Sequence, residues 1–127
     1  MGAELITPTQ IYVKPILEFL KAEIEVHAMA HITGGGLPEN LPRCLSQGQS
    51  IEVKQNSWII PPVFNWLAEA GKIQPVAMFN TFNMGIGFVV IVPPDKAQSA
   101  LNWFKSQNIT ANQIGQVIAG DGTLSLV

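Results

Sequence analysis

A chain of 127 residues suits one domain built on one core. Only 13% of its side chains are charged against 47% hydrophobic, where soluble domains ordinarily carry about a quarter charged residues. A formal net charge of -2 and basic residues that never cluster exclude an electrostatic footprint for nucleic acid, and so little charge implies apolar surface hidden against a partner domain or subunit.

The single cysteine, Cys44, excludes an internal disulfide and fits a reducing compartment. With no second chelating group near it in sequence, a structural zinc site is excluded too. The N-terminus lacks the stages of a signal peptide, and Ile6 stands where a myristoylation motif wants Ser or Thr. The longest apolar run, Ile86 to Val92 broken by Gly87, is too short to span a bilayer. These readings predict a cytoplasmic protein with no membrane partner.

Ile11, Tyr12, Ile16, Leu17, Phe19 and Leu20 outline a helix face, with Pro15 forcing a kink or a late start. Val26 to Ile32 reads as a strand, Gly34-Gly35-Gly36 as a loop, and Pro38 as the opening of a helix to about Leu45. Ser50 to Lys54 alternates as a strand does. Pro61-Pro62 starts a helix over Val63 to Ala70 that Gly71 stops, and Pro75 starts a shorter one. Ile86 to Val92 reads as a buried strand. Asp95 to Gln107 is the clearest helix, with Ala97, Ala100, Leu101 and Phe104 on one face. Ile114 to Ala119 and Thr123 to Val127 predict a hairpin around Gly120-Asp121-Gly122. The sum is an α+β domain: a mixed, largely antiparallel sheet of four to six strands covered by helices.

Two segments could carry chemistry. In the first, strand, Thr33, three glycines and a helix start follow one another. That order can aim backbone N–H groups at an anion, with the helix dipole adding positive charge, and an ordinary tight connection between strand and helix explains it equally well. His27 and His31 are four apart. On a strand that separation is about 13 Å, too far for one metal ion. His31, beside the loop, could contact phosphate or move a proton, with a satisfied structural histidine as the alternative reading, and His27 reads as structural. In the second segment, Thr81 to Gly87, the glycines resemble the start of a dinucleotide fingerprint. Val90 stands where the third glycine belongs, and a strand follows instead of a helix. The better reading is backbone passing close to a ligand or another chain, with Asn83 offering donor and acceptor, beside the alternative of a plain bulge. Trp58, Trp66 and Trp103 read as core or interface anchors, and Met29, Met78 and Met84 as gap fillers.

His31 to Arg43 (His-Ile-Thr-Gly-Gly-Gly-Leu-Pro-Glu-Asn-Leu-Pro-Arg) and Thr81 to Gly87 (Thr-Phe-Asn-Met-Gly-Ile-Gly) resemble phosphoribosylformylglycinamidine cyclo-ligase, also called AIR synthetase. Thr7 to Val13, Trp58 with Pro61-Pro62, Phe64 to Leu67 and Ile114 to Val117 agree in order and spacing. Cys44 and Asn80 depart from it, standing where valine and arginine are expected. The resemblance implies the C-terminal domain portion of the family, of partial ferredoxin-like character. It also implies that residues 1–127 lack an N-terminal ATP-binding domain and are inactive alone. It implies ATP and Mg2+ in the full-length enzyme, neither held tightly by these residues, a ribonucleotide substrate, the chain's own N-terminal domain as partner, and a homodimer. His31 becomes the catalytic candidate, and Thr33, Gly34, Gly35, Gly36, Asn40 and Asn83 the substrate- or phosphate-binding ones. Selenophosphate synthetase, formylglycinamidine synthetase, or a freestanding small-ligand module are the alternatives.

Overall fold

Proline placement sets where several of the helices begin. The computed structural model describes residues 2–127. Its helices are α1 (Gly2–Leu5), α2 (Val13–Lys21), α3 (Gly36–Asn40), α4 (Pro62–Gly71), α5 (Pro75–Thr81) and α6 (Ala97–Ser106). Pro62 and Pro75 each occupy the first helical position, where the missing N–H has no intrahelical acceptor to lose. Pro15 falls in the first turn of α2, whose opening bond runs from Ile16 N–H to Tyr12 O at 3.0 Å. The late start, and not a kink, is what Pro15 imposes.

The helix expected from Pro38 to about Leu45 begins earlier, at Gly36, and tightens into a 3-10 turn over Leu41–Cys44. Pro42 cannot donate the next α-helical bond, which accounts for the change. Gly71 does not end α4 by turning left-handed. Lys72 does that, at φ 51°. Ile73 folds back on the helix, where its Cδ1 would lie 2.9 Å from a Cβ on Gly71, so the glycine makes room for a side chain.

The strands are β1 (Ala28–His31), β2 (Gln49–Val53), β3 (Phe88–Ile91), β4 (Gly115–Ala119) and β5 (Leu124–Leu126). The α+β class and the mostly antiparallel pairing hold, but the strands form two sheets where one was expected: β1–β3, and β4–β2–β5. The terminal hairpin is also corrected. β4 and β5 do not pair with each other; β2 lies between them, antiparallel to β4 and parallel to β5. The turn wraps the start of β2 instead. Ser50 Oγ accepts the N–H groups of Asp121 (3.0 Å) and Thr123 (3.3 Å), and Gly122 N–H bonds Gln49 O at 2.8 Å. β2 brings Ile51 and Val53 to the core, and Ser50 is buried beside them, so the most buried strand of this sheet takes the centre.

Two apolar clusters hold the molecule. The larger gathers Ile32, Leu37, Leu41, Ile51, Val53 and Met78. The smaller joins Phe19 of α2 to Ala100 and Phe104 of α6, with the two phenyl rings stacked at 4.6 Å. Trp58 is buried and donates its indole N–H to Met84 O at 2.9 Å. Trp103 packs edge-on to Phe19, whereas Trp66 and Met29 are exposed and fill no core.

Candidate functional site

The two segments singled out in the sequence meet in space. Where β1 ends, Ile32 N–H bonds Gly87 O at 2.9 Å. The chain then leaves the sheet through exposed Thr33 and Gly34 and turns at Gly35 (φ 90°) and Gly36 (φ 58°), left-handed conformations open to glycine at little cost. Gly36 is buried against α5, and a Cβ there would collide with the carbonyl oxygens of Phe79 and Phe82.

Asn40, also buried, closes the loop from inside. Its Nδ2 donates to Gly36 O at 2.8 Å and, at longer range, to Gly34 O at 3.3 Å and Thr33 O at 3.5 Å. The Thr33 hydroxyl reaches Asn40 Oδ1 at 3.5 Å. Asn40 and Gly36 therefore shape the loop and do not face solvent. A Cβ on Gly35 would run into the Glu39 side chain, whose carboxylate pairs with Arg43. Gly34 stands apart: a Cβ there meets nothing within 4 Å. The N–H groups of Gly34 and Gly35 bond no backbone oxygen among the described residues.

Five-residue α3 supplies less dipole than the half charge of a long helix, and the Glu39 carboxylate beside Gly35 opposes an anion at that point. The open part of the loop is Thr33, Gly34 and the adjoining His31.

His31 is exposed and lies edge-on to the Tyr12 ring at 5.9 Å and stacked on Phe88 at 6.1 Å. The phenol oxygen of Tyr12 rests where a Cβ on Gly87 would be, and burial pushes that phenol's pKa up. The sequence reading missed Tyr12 as part of the site, counting it with the apolar face of α2. Its signal was its place in the Thr7 to Val13 segment. His27 sits elsewhere, its Nε2 3.0 Å from Glu25 Oε1.

Thr81 to Gly87 forms a turn, not a bulge. Asn83 Oδ1 accepts the Gly85 N–H at 2.9 Å, and Ile86 N–H bonds Asn83 O at 2.9 Å. Gly85 (φ 94°) packs on the Pro61 ring. The close approaches expected of Gly85 and Gly87 are thus made to this chain's own Pro61 and Tyr12. Asn83 spends its oxygen on the turn, and its amide N–H groups bond nothing among the described residues.

Among the described residues no three His, Cys, Asp or Glu side chains gather as metal ligands. Cys44 directs its thiol to Met29 O at 3.1 Å, and burial raises its pKa, the opposite of what a reactive thiol needs. No described helix is long and apolar enough to cross a membrane.

Residues 1–126 match the family described as AIR synthase related protein, C-terminal domain. The chain belongs to this family. It is 64% identical over 124 residues to the phosphoribosylformylglycinamidine cyclo-ligase of Gloeothece citriformis, a match covering 98% of this chain and 36% of that protein. It is 62% identical over 122 residues to the enzyme of the same name from Rippkaea orientalis, again at 36% of its length. The chain thus spans about a third of the curated relatives it matches. Among solved structures, the Escherichia coli hydrogenase maturation protein HypE superposes with a TM-score of 0.69 at 21% identity, over 91% of this chain and 36% of HypE. That likeness shows a shared fold. Membership of the AIR synthase related family rests on the sequence match.

Proposed function

We propose that this chain is the C-terminal part of an ATP-dependent cyclo-ligase that converts formylglycinamidine ribonucleotide to aminoimidazole ribonucleotide in purine biosynthesis. The observation that carries the reading is 64% identity over 98% of the chain to a protein of that name. In this reaction ATP phosphorylates the formyl amide oxygen. A neighbouring nitrogen of the substrate then attacks that carbon, phosphate leaves, and the imidazole ring closes. The protein's task is positioning and charge stabilisation.

Within these residues the ligand-facing part is His31, Thr33 and Gly34. The unbonded N–H of Gly34 donates to a substrate oxygen. The Thr33 hydroxyl exchanges its long contact with Asn40 for the ligand, and His31 holds or moves a proton against the Tyr12–Phe88 support. Asn83 adds its free amide. Asn40 and Gly36 keep the loop in shape. Among the described residues no donor set fits a dedicated magnesium site; in this reading an N-terminal domain of the full-length enzyme, a cytoplasmic homodimer, holds ATP and Mg2+.

The test is an assay of the full-length protein with ATP and formylglycinamidine ribonucleotide, following aminoimidazole ribonucleotide. Wild type turns over. His31→Ala lowers kcat if the imidazole moves a proton, and raises KM with kcat kept if it only binds. Absence of product from folded wild-type protein overturns the assignment.

A further inference from the structure

Sheet edges in water are ordinarily blunted with charge, proline or a covering element, because an unpaired row of N–H and C=O groups recruits another strand. The two facing edges in this molecule have no such protection. β3 (Phe-Val-Val-Ile) is apolar on both faces, the composition of a strand buried at the middle of a sheet. Among the described residues it nevertheless pairs with β1 alone. β4 (Gly-Gln-Val-Ile-Ala) pairs with β2 alone and is equally without charge. Both line one groove of about 890 Å³, which also takes in Phe104 and Ile109. No Lys, Arg, Asp or Glu is among its described lining residues.

The ladders show which backbone groups face it. Lys54 N–H bonds Ile114 O and Gly120 N–H bonds Gly48 O. Antiparallel alternation between those points directs the Gln116 and Ile118 N–H groups to β2 and leaves that of Val117 pointing outward. On β3, the bond from Ile32 N–H to Gly87 O sets the same alternation and leaves the Val90 N–H outward.

We infer that the groove is the seat of one extended strand, supplied by the part of the full-length protein outside these 127 residues. That strand pairs with β3 on one side and β4 on the other and joins the two sheets into one. The matched relatives supply the chain for it, since the stretch matched here is only 36% of their length. The groove's walls mix apolar side chains with uncharged polar ones such as Gln49, Asn112 and Gln116, but the feature that selects its occupant is the pair of open backbone edges, which a strand satisfies and a small molecule does not. A second copy is disfavoured on geometry: its β3 paired with this β3 leaves β4 open. The inference rests on family membership and sheet pairing, not on the reaction.

Amide-resolved hydrogen exchange tests it, on the isolated 127-residue chain and on the full-length Gloeothece citriformis relative. In the isolated chain the Val90 and Val117 amides are expected to exchange close to free rates, while Gln116 and Ile118 are protected. In the full-length relative the amides at the positions of Val90 and Val117 are expected to slow by at least ~100-fold. Free exchange at either position in the full-length protein overturns the inference, as does protection of only one edge. Protection of both in the isolated chain, with sedimentation as a dimer, assigns the groove to a second copy and also overturns it.

Discussion

A Cβ placed on Gly36 would run into the carbonyl oxygens of Phe79 and Phe82, while one placed on Gly34, two residues earlier, would meet nothing. The difference separates shape from contact in one loop. Gly36→Ala is expected to destabilise the chain by about 1–3 kcal/mol through its left-handed φ alone, with the fixed carbonyls adding to that. Its denaturation midpoint reads this directly. Gly34→Val is expected to leave the midpoint of the full-length enzyme nearly unchanged and to raise KM for the ribonucleotide roughly tenfold, more than that for ATP. Unchanged constants in folded Gly34→Val protein would mean that no ligand approaches the loop. Asn40→Ala strips the loop of its internal donor and is expected to cost about 1–3 kcal/mol, a loss visible in thermal melting and separable from any direct effect on binding.

The connection between β4 and β5 behaves as a clasp on β2. Asp121 accepts a hydrogen bond from the Thr123 hydroxyl at 2.7 Å, and that bond, with its own backbone N–H and Ser50, holds its carboxyl below the ordinary aspartate value of 3.8. A group with a lowered folded pKa stabilises the folded state above its unfolded value and loses that contribution as pH falls through the folded one. The clasp is therefore expected to be intact above about pH 5 and to loosen in more acid solution. Asp121→Asn removes that acid dependence, which denaturant titrations of wild type and variant at the two ends of this range would show. Ser50→Ala acts at any pH, since two backbone N–H groups lose their acceptor. Faster amide exchange at Asp121 and Thr123 is the expected readout.

Over the whole molecule the low charge has a visible counterpart. Apolar side chains remain exposed on several elements, with Ile59 92% and Val76 69% accessible, and the uncharged groove runs between the sheets. The isolated chain is expected to bind a hydrophobic dye such as anilinonaphthalene sulfonate, and the full-length relative to bind much less per mole. Equal dye signals from the two would place the apolar surface outside any domain contact. With ATP and formylglycinamidine ribonucleotide, the isolated chain is expected to give no product above a protein-free blank. Turnover by these residues alone would remove the need for an N-terminal domain.

The proline starts of α4 and α5, the burial of Ala100 and Phe104 on one face of α6, and the loop at Gly34 to Gly36 were all legible in the sequence. Each depends on a dihedral restriction or an apolar period contained in a few consecutive residues. The family resemblance was legible for the same reason, as motifs are local strings. Strand partnership was not. Thr123 to Val127 looked like the return strand of a hairpin until Ser50, 73 positions away from Thr123, captured its first N–H and brought it to the far side of β2. Nor could the sequence say that Gly87 is glycine beneath the Tyr12 hydroxyl, that Gly85 is glycine against Pro61, or that Asn40 faces inward. Those are contacts between distant segments, and a residue's own neighbours in the chain carry no record of what the fold will press against it. The segments of the candidate site were set by sequence. Which of their residues stay open to solvent and which hold the loop was decided only when α5 closed over Gly36 and α2 delivered Tyr12 to His31.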